Sequence, residues 1–218
     1  MARRPVFITL KKAPFVDVFT PEFQWNSGFS ATQKQKNIVA LHQAYLQRFP
    51  DRQILEISSK SMQDIGIQLS AFHLKRFCPE IGKSVPLECV FQGSKVFASG
   101  GPYTDLYTVT PREAKRDLRL KESGKLVHFL FDGHVFPLSP ATAFYDWQYI
   151  QGLKENPDLA QALTQYDAFT DIAFNPDKSL NCQARSAALY VSLVRLGLLE
   201  QIHCFDDFLS VLNGSQGI

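Results

Sequence analysis

The amino-acid sequence predicts an α+β fold that is rich in helix and has a small sheet. Strand-like alternation is confined to short segments, whereas the second half of the chain carries several well-marked helix starts. The chain has 218 residues, of which 45% are hydrophobic and 20% are charged, as expected for a folded globular protein and not for a disordered one. This length corresponds to one sizeable domain, or to one domain with an extension.

The first 60 residues predict three strands and one helix. Residues 5–9, 15–19 and 53–58 have the short apolar alternation that is typical of strands. Ser30 is a suitable N-cap for a helix that runs to about Arg48. The apolar stripe of this helix consists of Ile38, Leu41, Ala44, Tyr45 and Phe49.

The middle of the chain predicts two more strands and a basic helix. Strands are expected around residues 73–77 and 126–131, the second followed by a turn at Asp132–Gly133. Thr110–Glu113 reads Thr-Pro-Arg-Glu, in which the Thr and Glu side chains can form a capping box and Pro occupies the first helical position.

The remaining third predicts three helices. Ser139-Pro140 is expected to open a helix that extends to Glu155, with Trp147 in the protein core. Asn156–Asp158 is expected to end that helix and to start the next one. Asn181 is expected to cap the last long helix, whose apolar face consists of Ala184, Ala187, Ala188, Val191 and Leu198.

Cysteine usage and apolar segment length predict a reduced, cytoplasmic protein. The four cysteines are scattered, without a CxxC pair or the His spacing of a zinc site, and three of them lie beside apolar residues, which favours buried thiols. The longest largely apolar segment, Ala187–Val194, has eight residues, far fewer than the roughly 20 of a membrane helix. The N-terminus contains no apolar signal-peptide core.

The small net charge of +2 conceals an uneven distribution along the chain. Residues 1–60 carry a net charge of +5 and residues 61–125 carry +3, whereas residues 126–218 carry −6. A basic first half suits a polyphosphate or nucleic-acid partner. An equally good interpretation is that the acidic part of the chain packs against the basic part.

Several common enzyme motifs do not occur in the sequence. It contains no Walker loop, GxGxxG loop, nucleophile elbow or HExxH helix. Their absence argues against kinases, nucleotide-cofactor dehydrogenases, α/β-hydrolases and zinc proteases. His128 and His134 flank a predicted turn without a third ligand, so that no metal site is expected. No cofactor is expected.

One segment combines a carboxylate with an amine at helical spacing. Glu88, Gln92 and Lys95 lie at positions i, i+4 and i+7, so that a helix would place all three on one face. Apolar neighbours could make this a pair for acid–base or nucleophilic chemistry. The alternative is a solvated helix face, which is the commoner situation for Glu and Lys.

Four motifs in the same order resemble the NADAR family. Leu69–Phe72 is similar to its Leu-Ser-Asn-Phe segment, Leu87–Lys95 to its Val-Glu-His-x-x-Gln-x-x-Lys helix and Pro111–Lys115 to its Pro-x-x-Ala-Lys helix. Asn181 precedes a small-residue helix, as the family's last Asn does. The resemblance covers residues 66–200, implies a YbiA-like NADAR core and is greatest to the antitoxins encoded beside DarT-type DNA ADP-ribosyltransferase toxins.

The resemblance implies an N-glycosidic hydrolase that removes ADP-ribose from guanine bases in DNA. The expected partners are ADP-ribosylated, single-stranded DNA or guanosine and a cognate DarT-type toxin, with no membrane. Two alternatives are a glycosidase acting on a free ribosylaminopyrimidine phosphate and a binding module without catalysis. We expect residues 1–65 to be an N-terminal extension packed on the core and residues 66–218 to be the NADAR-like catalytic domain.

The resemblance also assigns roles to individual residues. Glu88 would be the acid–base group, and Lys95 either a nucleophile that forms a Schiff base with the opened ribose or an electrostatic clamp on phosphate. Phe72 would stack on a base, while Arg112 and Lys115 would bind a pyrophosphate. Further substrate contacts are expected from Ser70, Gln92, Tyr103 and Asn181.

The sequence departs from the family pattern at several positions. Ala71 stands where the family has Asn, and Cys89 stands where it has His. The family's Asp-x-x-Trp-Gly element is replaced by residues 174–179. Asp171, Asp177 and Arg185 are therefore only loosely assigned to the site, and Asp177 after Pro176 is typical of a turn. Lys34, Lys36, Arg112, Arg116 and Arg119 could follow a phosphate backbone or form a solvated face.

Overall fold

The computed structural model describes residues 1–214, and it has the predicted α+β fold. The chain folds into two compact units. The first unit consists of Met1–Ser70 and Asp158–Ile218, of which the last four residues lie outside the described part. The second unit is Ala71–Pro157.

The described chain contains short strands and helices of four to sixteen residues. The strands are β1 (Ala2–Arg3), β2 (Val6–Thr9), β3 (Val16–Phe19), β4 (Glu22–Phe23), β5 (Ile54–Glu56), β6 (Lys75–Cys78), β7 (Lys83–Pro86), β8 (Lys95–Phe97), β9 (Leu126–Phe131), β10 (His134–Phe136) and β11 (Ala168–Thr170). The helices are α1 (Ala31–Leu46), α2 (Asp64–Gln68), α3 (Leu87–Gly93), α4 (Pro111–Arg116), α5 (Arg119–Glu122), α6 (Ala143–Lys154), α7 (Pro157–Leu163), α8 (Gln183–Arg195) and α9 (Phe205–Gly214).

The first unit is built around a four-stranded sheet with the order β3-β2-β11-β5. β2 is antiparallel to β3 and β11, while β11 is parallel to β5, with Ala168 opposite Ile54. Sequence-distant strands thus share one sheet, and all residues of β2, β5 and β11 are buried. The core of this unit comprises Val6, Ile8, Phe23, Ile38, Leu41, Tyr45, Ile54, Ala168 and Ile172.

The second unit contains a hairpin of β6 and β7 and an antiparallel sheet with the order β10-β9-β8. A cluster of aromatic rings packs beside this sheet, with the rings of Phe129 and Phe144 stacked at 4.3 Å and the ring of Phe91 5.6 Å from Phe129. Every residue of α3 is buried. A helix buried all round is a core element, so that its polar side chains are held among apolar neighbours.

The structure confirms most of the predicted elements. Strands occur within residues 5–9, 15–19, 53–58 and 126–131, and the Ser30 hydroxyl caps α1 by accepting a hydrogen bond from the backbone N–H of Gln33 at 3.2 Å. In the capping box of α4, the Thr110 side chain accepts a hydrogen bond from the Glu113 backbone N–H, and the Glu113 side chain accepts one from the Thr110 backbone N–H. These features depend on local spacing and capping chemistry, which the sequence displays directly.

Two helix starts differ from the prediction, and one helix was not predicted. α6 begins at Ala143, because a turn closed by the Ala143 N–H and the Pro140 carbonyl at 3.0 Å precedes it. Asn181 does not cap α8, because the Cys182 carbonyl accepts the first helical hydrogen bond, from Ser186 N–H at 3.1 Å. α9 was not predicted at all.

The cysteines and the helices bear on the predicted environment of the chain. Cys78, Cys89 and Cys182 are buried free thiols, as predicted, whereas Cys204 is an exposed free thiol. Within residues 1–214, no helix combines the length and the apolar character that crossing a bilayer requires. The boundary between residues 65 and 66 stays a prediction, and the end of the expected 66–218 domain lies outside the described residues.

Candidate active site

Helix α3 is tied at its start to the segment that precedes β6. The first N–H groups of a helix have no acceptor within the helix. Here the N–H of Leu87 donates to the carbonyl of Leu74 at 2.9 Å, and the N–H of Glu88 donates to that of Ala71 at 2.9 Å. These two bonds fix the backbone of Glu88 close to Ala71 and Leu74.

Glu88 is a buried carboxylate with two polar neighbours. Glu88 is only 5% exposed. Its Oε1 atom accepts a hydrogen bond from Gln92 Nε2 at 2.9 Å. The ammonium of Lys115 lies 3.5 Å from the same oxygen. A buried charge requires such partners, and the prediction of a solvated face is therefore wrong for Glu88.

Lys95 completes a chain of polar groups that begins at Glu88. Its Nζ atom donates to Gln92 Oε1 at 2.6 Å and lies 4.5 Å from the centroid of the Phe91 ring. Burial lowers the pKa of Lys95 to about 8, with the charge of Glu88 acting to raise it and that of Lys115 to lower it. A substantial share of this amine is thus neutral near physiological pH, and a neutral amine is nucleophilic.

The position of Lys95 on the helix was predicted wrongly, although its proximity to Glu88 was not. α3 ends at Gly93, and Lys95 begins strand β8. The Gln92 carboxamide uses one end to donate to Glu88 and the other to accept from Lys95. Gln92 therefore joins the acid to the amine across the helix–strand boundary.

Helix α4 places Lys115 between the carboxylate and an aromatic ring. The Lys115 ammonium lies 5.6 Å from the centroid of the Phe72 ring as well as 3.5 Å from Glu88. Ala114, the residue before it in α4, is buried and packs with Cys89 and Leu106. We call Phe72, Glu88, Gln92, Lys95 and Lys115 the acid–amine cluster.

Cys89 follows the cluster glutamate but is not a candidate nucleophile. Its Sγ atom donates to the Val109 carbonyl at 3.4 Å. Burial, together with the charge of Glu88, raises the pKa of the Cys89 thiol to about 11. Because the thiolate is the reactive form, Cys89 contributes packing and not chemistry.

Two other predicted residues of the second unit lie at the surface near α4 and α5. Tyr103 is half-buried, its hydroxyl is hydrogen-bonded to Ser123, and the Arg119 guanidinium carbon lies 4.4 Å from its ring centroid. Arg112 is exposed and lines an open concavity. Their predicted contacts with substrate stay predictions.

Ser70 and Asn181 belong to the first unit. The Ser70 hydroxyl is buried and donates to the Ile67 carbonyl at 2.6 Å. The carboxamide oxygen of Asn181 is buried and accepts no hydrogen bond from any residue in the described range 1–214. An unpartnered buried acceptor is uncommon in native structures, and the predicted contact of Asn181 with substrate stays a prediction.

The loosely assigned residues also lie in the first unit. Asp171 Oδ2 accepts a hydrogen bond from Gln183 Nε2 at 3.0 Å. Asp177 is exposed, and its N–H donates to Asn175 Oδ1 at 3.1 Å, which confirms that it is a turn residue. Arg185 is half-buried near the start of α8.

Sequence reasoning missed a buried polar chain at the ends of β5 and β11. The Thr170 hydroxyl donates to Glu56 Oε2 at 2.6 Å and lies 2.8 Å from Nε2 of His42. Burial raises the pKa of Glu56 and lowers that of His42 to about 4. The only signal in the sequence is a glutamate between Leu55 and Ile57, in a strand that is otherwise apolar.

The side chains of residues 1–214 do not form a metal site. Across residues 1–214, no group of three or more His, Cys, Asp or Glu side chains is arranged to hold a metal ion. The chemistry available in the acid–amine cluster is that of a carboxylate, an amide and two amines.

Comparison with known proteins adds one match. Residues 2–217 match the family model described as DarT1-associated NADAR antitoxin, which spans nearly the whole chain. No curated protein shows significant similarity to the chain.

Proposed function

Because the chain belongs to the family of DarT1-associated NADAR antitoxins, we propose that it is an N-glycosidic hydrolase that removes ADP-ribose from guanine bases in DNA. The observation that carries the proposal is the hydrogen-bonded chain from buried Glu88 through Gln92 to half-buried Lys95. The reaction would reverse the modification made by a DNA ADP-ribosyltransferase toxin. The antitoxin would then act by repairing DNA, and it could turn over repeatedly.

The bond to be broken joins C1 of a ribose to the exocyclic amine of guanine. Its cleavage requires a proton for the departing nitrogen and a way to stabilise the electron-poor C1 atom. A carboxylic acid within the site can supply the proton, and its carboxylate form can stabilise positive charge at C1 or activate water. Glu88 is assigned both tasks, because it is buried and has Lys115 close to one oxygen.

Lys95 is assigned the role of nucleophile. When the ribose ring opens, C1 becomes an imine carbon bonded to the guanine nitrogen. The neutral Lys95 amine adds to C1, the guanine amine leaves with a proton supplied through Glu88, and a Lys95 Schiff base remains. Water then adds to this Schiff base and releases ADP-ribose and the free amine. The lowering of the Lys95 pKa to about 8 makes the neutral amine more available for this role than it is in an ordinary lysine.

Two further members of the acid–amine cluster are assigned to binding. Phe72 is half-buried and offers a ring face for a purine base. The Lys115 side chain is 59% exposed, so that its ammonium can contact a phosphate group of the ADP-ribose while remaining near Glu88. The role of Gln92 is to hold the carboxylate and the amine at a fixed separation.

The first test is Glu88→Gln, which keeps the shape of the side chain and removes the titratable acid. We expect the release of ADP-ribose from a single-stranded oligonucleotide carrying ADP-ribosyl-guanine to fall by roughly 100- to 10,000-fold, the usual contribution of general acid–base catalysis. Mass spectrometry of the oligonucleotide over many turnovers measures the loss directly.

Glu122→Gln is the matched control, because it makes the same chemical change at an exposed position of α5. It should hydrolyse the substrate at the wild-type rate, and circular dichroism should show both variants folded. Full activity of Glu88→Gln would remove Glu88 from the mechanism. Tight binding without release by the wild type would instead support a non-catalytic binding module.

A further inference from the structure

The position of Lys95 depends on the place where α3 ends. Ser94 is the C-cap of α3, and its N–H donates to the Val90 carbonyl at 3.0 Å. Lys95 follows directly and starts β8, where it pairs with Phe129 of β9. Because consecutive Cα atoms are held about 3.8 Å apart, a shift of Ser94 is passed on to Lys95.

Ser94 is held through both its side chain and its carbonyl. It is fully buried, its hydroxyl donates to the Val90 carbonyl at 2.7 Å, and its carbonyl accepts from the Leu130 N–H of β9 at 2.8 Å. The Tyr107 hydroxyl lies 3.2 Å from Ser94 Oγ. Because the single hydroxyl proton of Ser94 is used on Val90, the Tyr107 hydroxyl is the donor in this contact.

Tyr107 belongs to a short 3₁₀-helix, Thr104–Thr108, that packs on α3. Tyr107 is fully buried, and its ring lies edge-on to that of Phe131, with centroids 6.2 Å apart. Burial raises the pKa of Tyr107, so that the hydroxyl stays protonated and remains a donor. It binds Ser94, which is not a member of the acid–amine cluster, so that any effect of Tyr107 on the cluster is indirect.

Gly93 lets the Tyr107 ring approach the end of α3. A Cβ atom at position 93 would lie 2.4 Å from Cε1 and 2.7 Å from Cδ1 of Tyr107, closer than van der Waals contact allows. Glycine, which has no Cβ atom, permits this close approach. The ring thus packs against the last residue of α3, while its hydroxyl binds the C-cap that follows. Both contacts act on the two residues that precede Lys95.

The placement of Lys95 matters because its amine forms a short hydrogen bond. Nζ donates to Gln92 Oε1 at 2.6 Å, and Gln92 in turn donates to Glu88. Gln92 lies within α3, whereas Lys95 lies beyond its end. The length of this bond therefore depends on how the chain leaves the helix. A displacement of about 1 Å can lower the rate of a reaction by about 100-fold.

We propose that Tyr107 is a positioning residue of the acid–amine cluster: its hydroxyl, through Ser94, fixes the end of α3 so that the Lys95 amine stays hydrogen-bonded to Gln92. The inference deepens the proposed function and rests on it for the effect on catalysis. The placement of Lys95 can also be measured without substrate, so that the positioning role and the hydrolase activity can fail separately.

The test uses Tyr107→Phe, which keeps the ring and removes the hydroxyl. The full chain is labelled with [13Cε]lysine, and the Lys95 resonance, assigned with Lys95→Arg, is followed by NMR over a pH titration. In the wild type we expect a midpoint near 8, because burial lowers the pKa of Lys95. The charges that act on Lys95, those of Glu88 and Lys115, are retained in Tyr107→Phe. An amine that loses its place beside Gln92 becomes hydrated, so that its midpoint should rise by about 0.5 pH units or more.

The effect on catalysis is measured with a single-stranded oligonucleotide carrying ADP-ribosyl-guanine. We expect kcat of Tyr107→Phe to fall by roughly 10- to 100-fold and KM to stay unchanged, because Tyr107 is not among the groups assigned to binding. Ser94→Ala should give the same changes in midpoint and in kcat. The double variant should be no worse than Ser94→Ala alone, because both substitutions act through one contact.

Tyr45→Phe is the matched control, because it makes the same change at a fully buried tyrosine of the first unit, whose hydroxyl forms no hydrogen bond with any residue of the range 1–214. It should leave both the Lys95 midpoint and kcat at their wild-type values. If Tyr107→Phe does not fold, Ser94→Ala decides the question alone.

An unchanged Lys95 midpoint in Tyr107→Phe and in Ser94→Ala would overturn the inference even if kcat fell, since a loss of stability alone lowers kcat without moving the midpoint. An equal shift in Tyr45→Phe would overturn it as well. A raised midpoint in Tyr107→Phe, together with a wild type that releases no ADP-ribose, would support the placement of Lys95 by Tyr107 and contradict the proposed function alone.

Discussion

At the scale of single residues, the proposed chemistry depends on the protonation of Lys95. Burial lowers its pKa to about 8, and the charge of Lys115 contributes to the lowering. The neutral amine is the nucleophilic form, so its fraction rises with pH. We therefore expect kcat/KM for ADP-ribose release to increase with pH and to level off above a midpoint near 8.

Lys115→Met should move this midpoint to higher pH, because it removes a positive charge that favours the neutral form of Lys95. The midpoint is the diagnostic quantity, since the overall rate also reflects the role of Lys115 in binding. Lys121→Met, on an exposed helix position, is the control and should leave the midpoint unchanged. A rate that decreases with pH, or a midpoint that is the same in Lys115→Met, would contradict the role of Lys95 as a nucleophile.

The sequence predicted the members of the acid–amine cluster better than their geometry. The spacing of Glu88 and Gln92 gives a true i, i+4 contact within α3. Lys95 lies in a strand, because the helix ends after Gly93, and its contact with Gln92 spans that boundary. Spacing rules describe positions inside one helix, and they do not apply to residues beyond its end.

At the scale of elements, a buried hydrogen-bonded chain joins α1, β11 and β5 through His42, Thr170 and Glu56. Since the Thr170 hydroxyl donates to Glu56, its oxygen is left to accept from Nε2 of neutral His42. The pKa of His42 is lowered from 6.5 to about 4 by burial. Protonation is thus disfavoured in the folded state, and the contribution of His42 to stability is lost as the pH falls from 6.5 towards 4.

The variant His42→Gln tests this dependence of stability on pH. The glutamine amide can still donate to Thr170, and we expect a loss of about 1 kcal/mol in the free energy of unfolding at pH 7.5 from imperfect replacement of the hydrogen bond. As the pH falls to 5, the wild type should lose about 2 kcal/mol of stability relative to the variant, so that the difference between the two proteins reverses sign. Glu56, whose pKa is raised by burial, titrates in the opposite sense but is present in both proteins. Urea unfolding at pH 7.5 and pH 5 measures the free energy of unfolding of the wild type and of His42→Gln. The same difference between the two proteins at both pH values would contradict the proposed titration of His42.

Element boundaries show where local sequence information stops. The Ser30 cap and the Thr110–Glu113 capping box were predicted because each depends on residues within one turn. α8 begins one residue later than the capping preference of Asn181 implied. The partners of β11 were not predictable, since β2 and β5 lie more than 100 residues away in the sequence.

At the scale of the whole molecule, the fold class followed from composition and pattern, whereas the division into compact units did not. The first unit combines both ends of the described chain, and the second is a continuous segment. Glu56 was overlooked for the same reason: its buried partner Thr170 comes from the other end of the chain. The division into units and the burial of Glu56 both depend on contacts between residues far apart in the sequence. A short segment of sequence does not indicate such contacts.

The antitoxin role leads to a prediction for intact cells. If the protein repairs DNA catalytically, one molecule removes many modifications, and protection does not require equimolar amounts of antitoxin and toxin. In cells that express a DarT1-type toxin, the wild type and Glu122→Gln should restore growth even at low antitoxin levels, while Glu88→Gln should not. The level of ADP-ribosylated guanine in genomic DNA should be low in the cells that grow and high in those that do not.

A different outcome would show that the protein neutralises the toxin by binding it. In that case Glu88→Gln, present in the same amount as the toxin, would protect as well as the wild type, and the DNA would stay unmodified. Catalysis by Glu88 would then be unnecessary for its function.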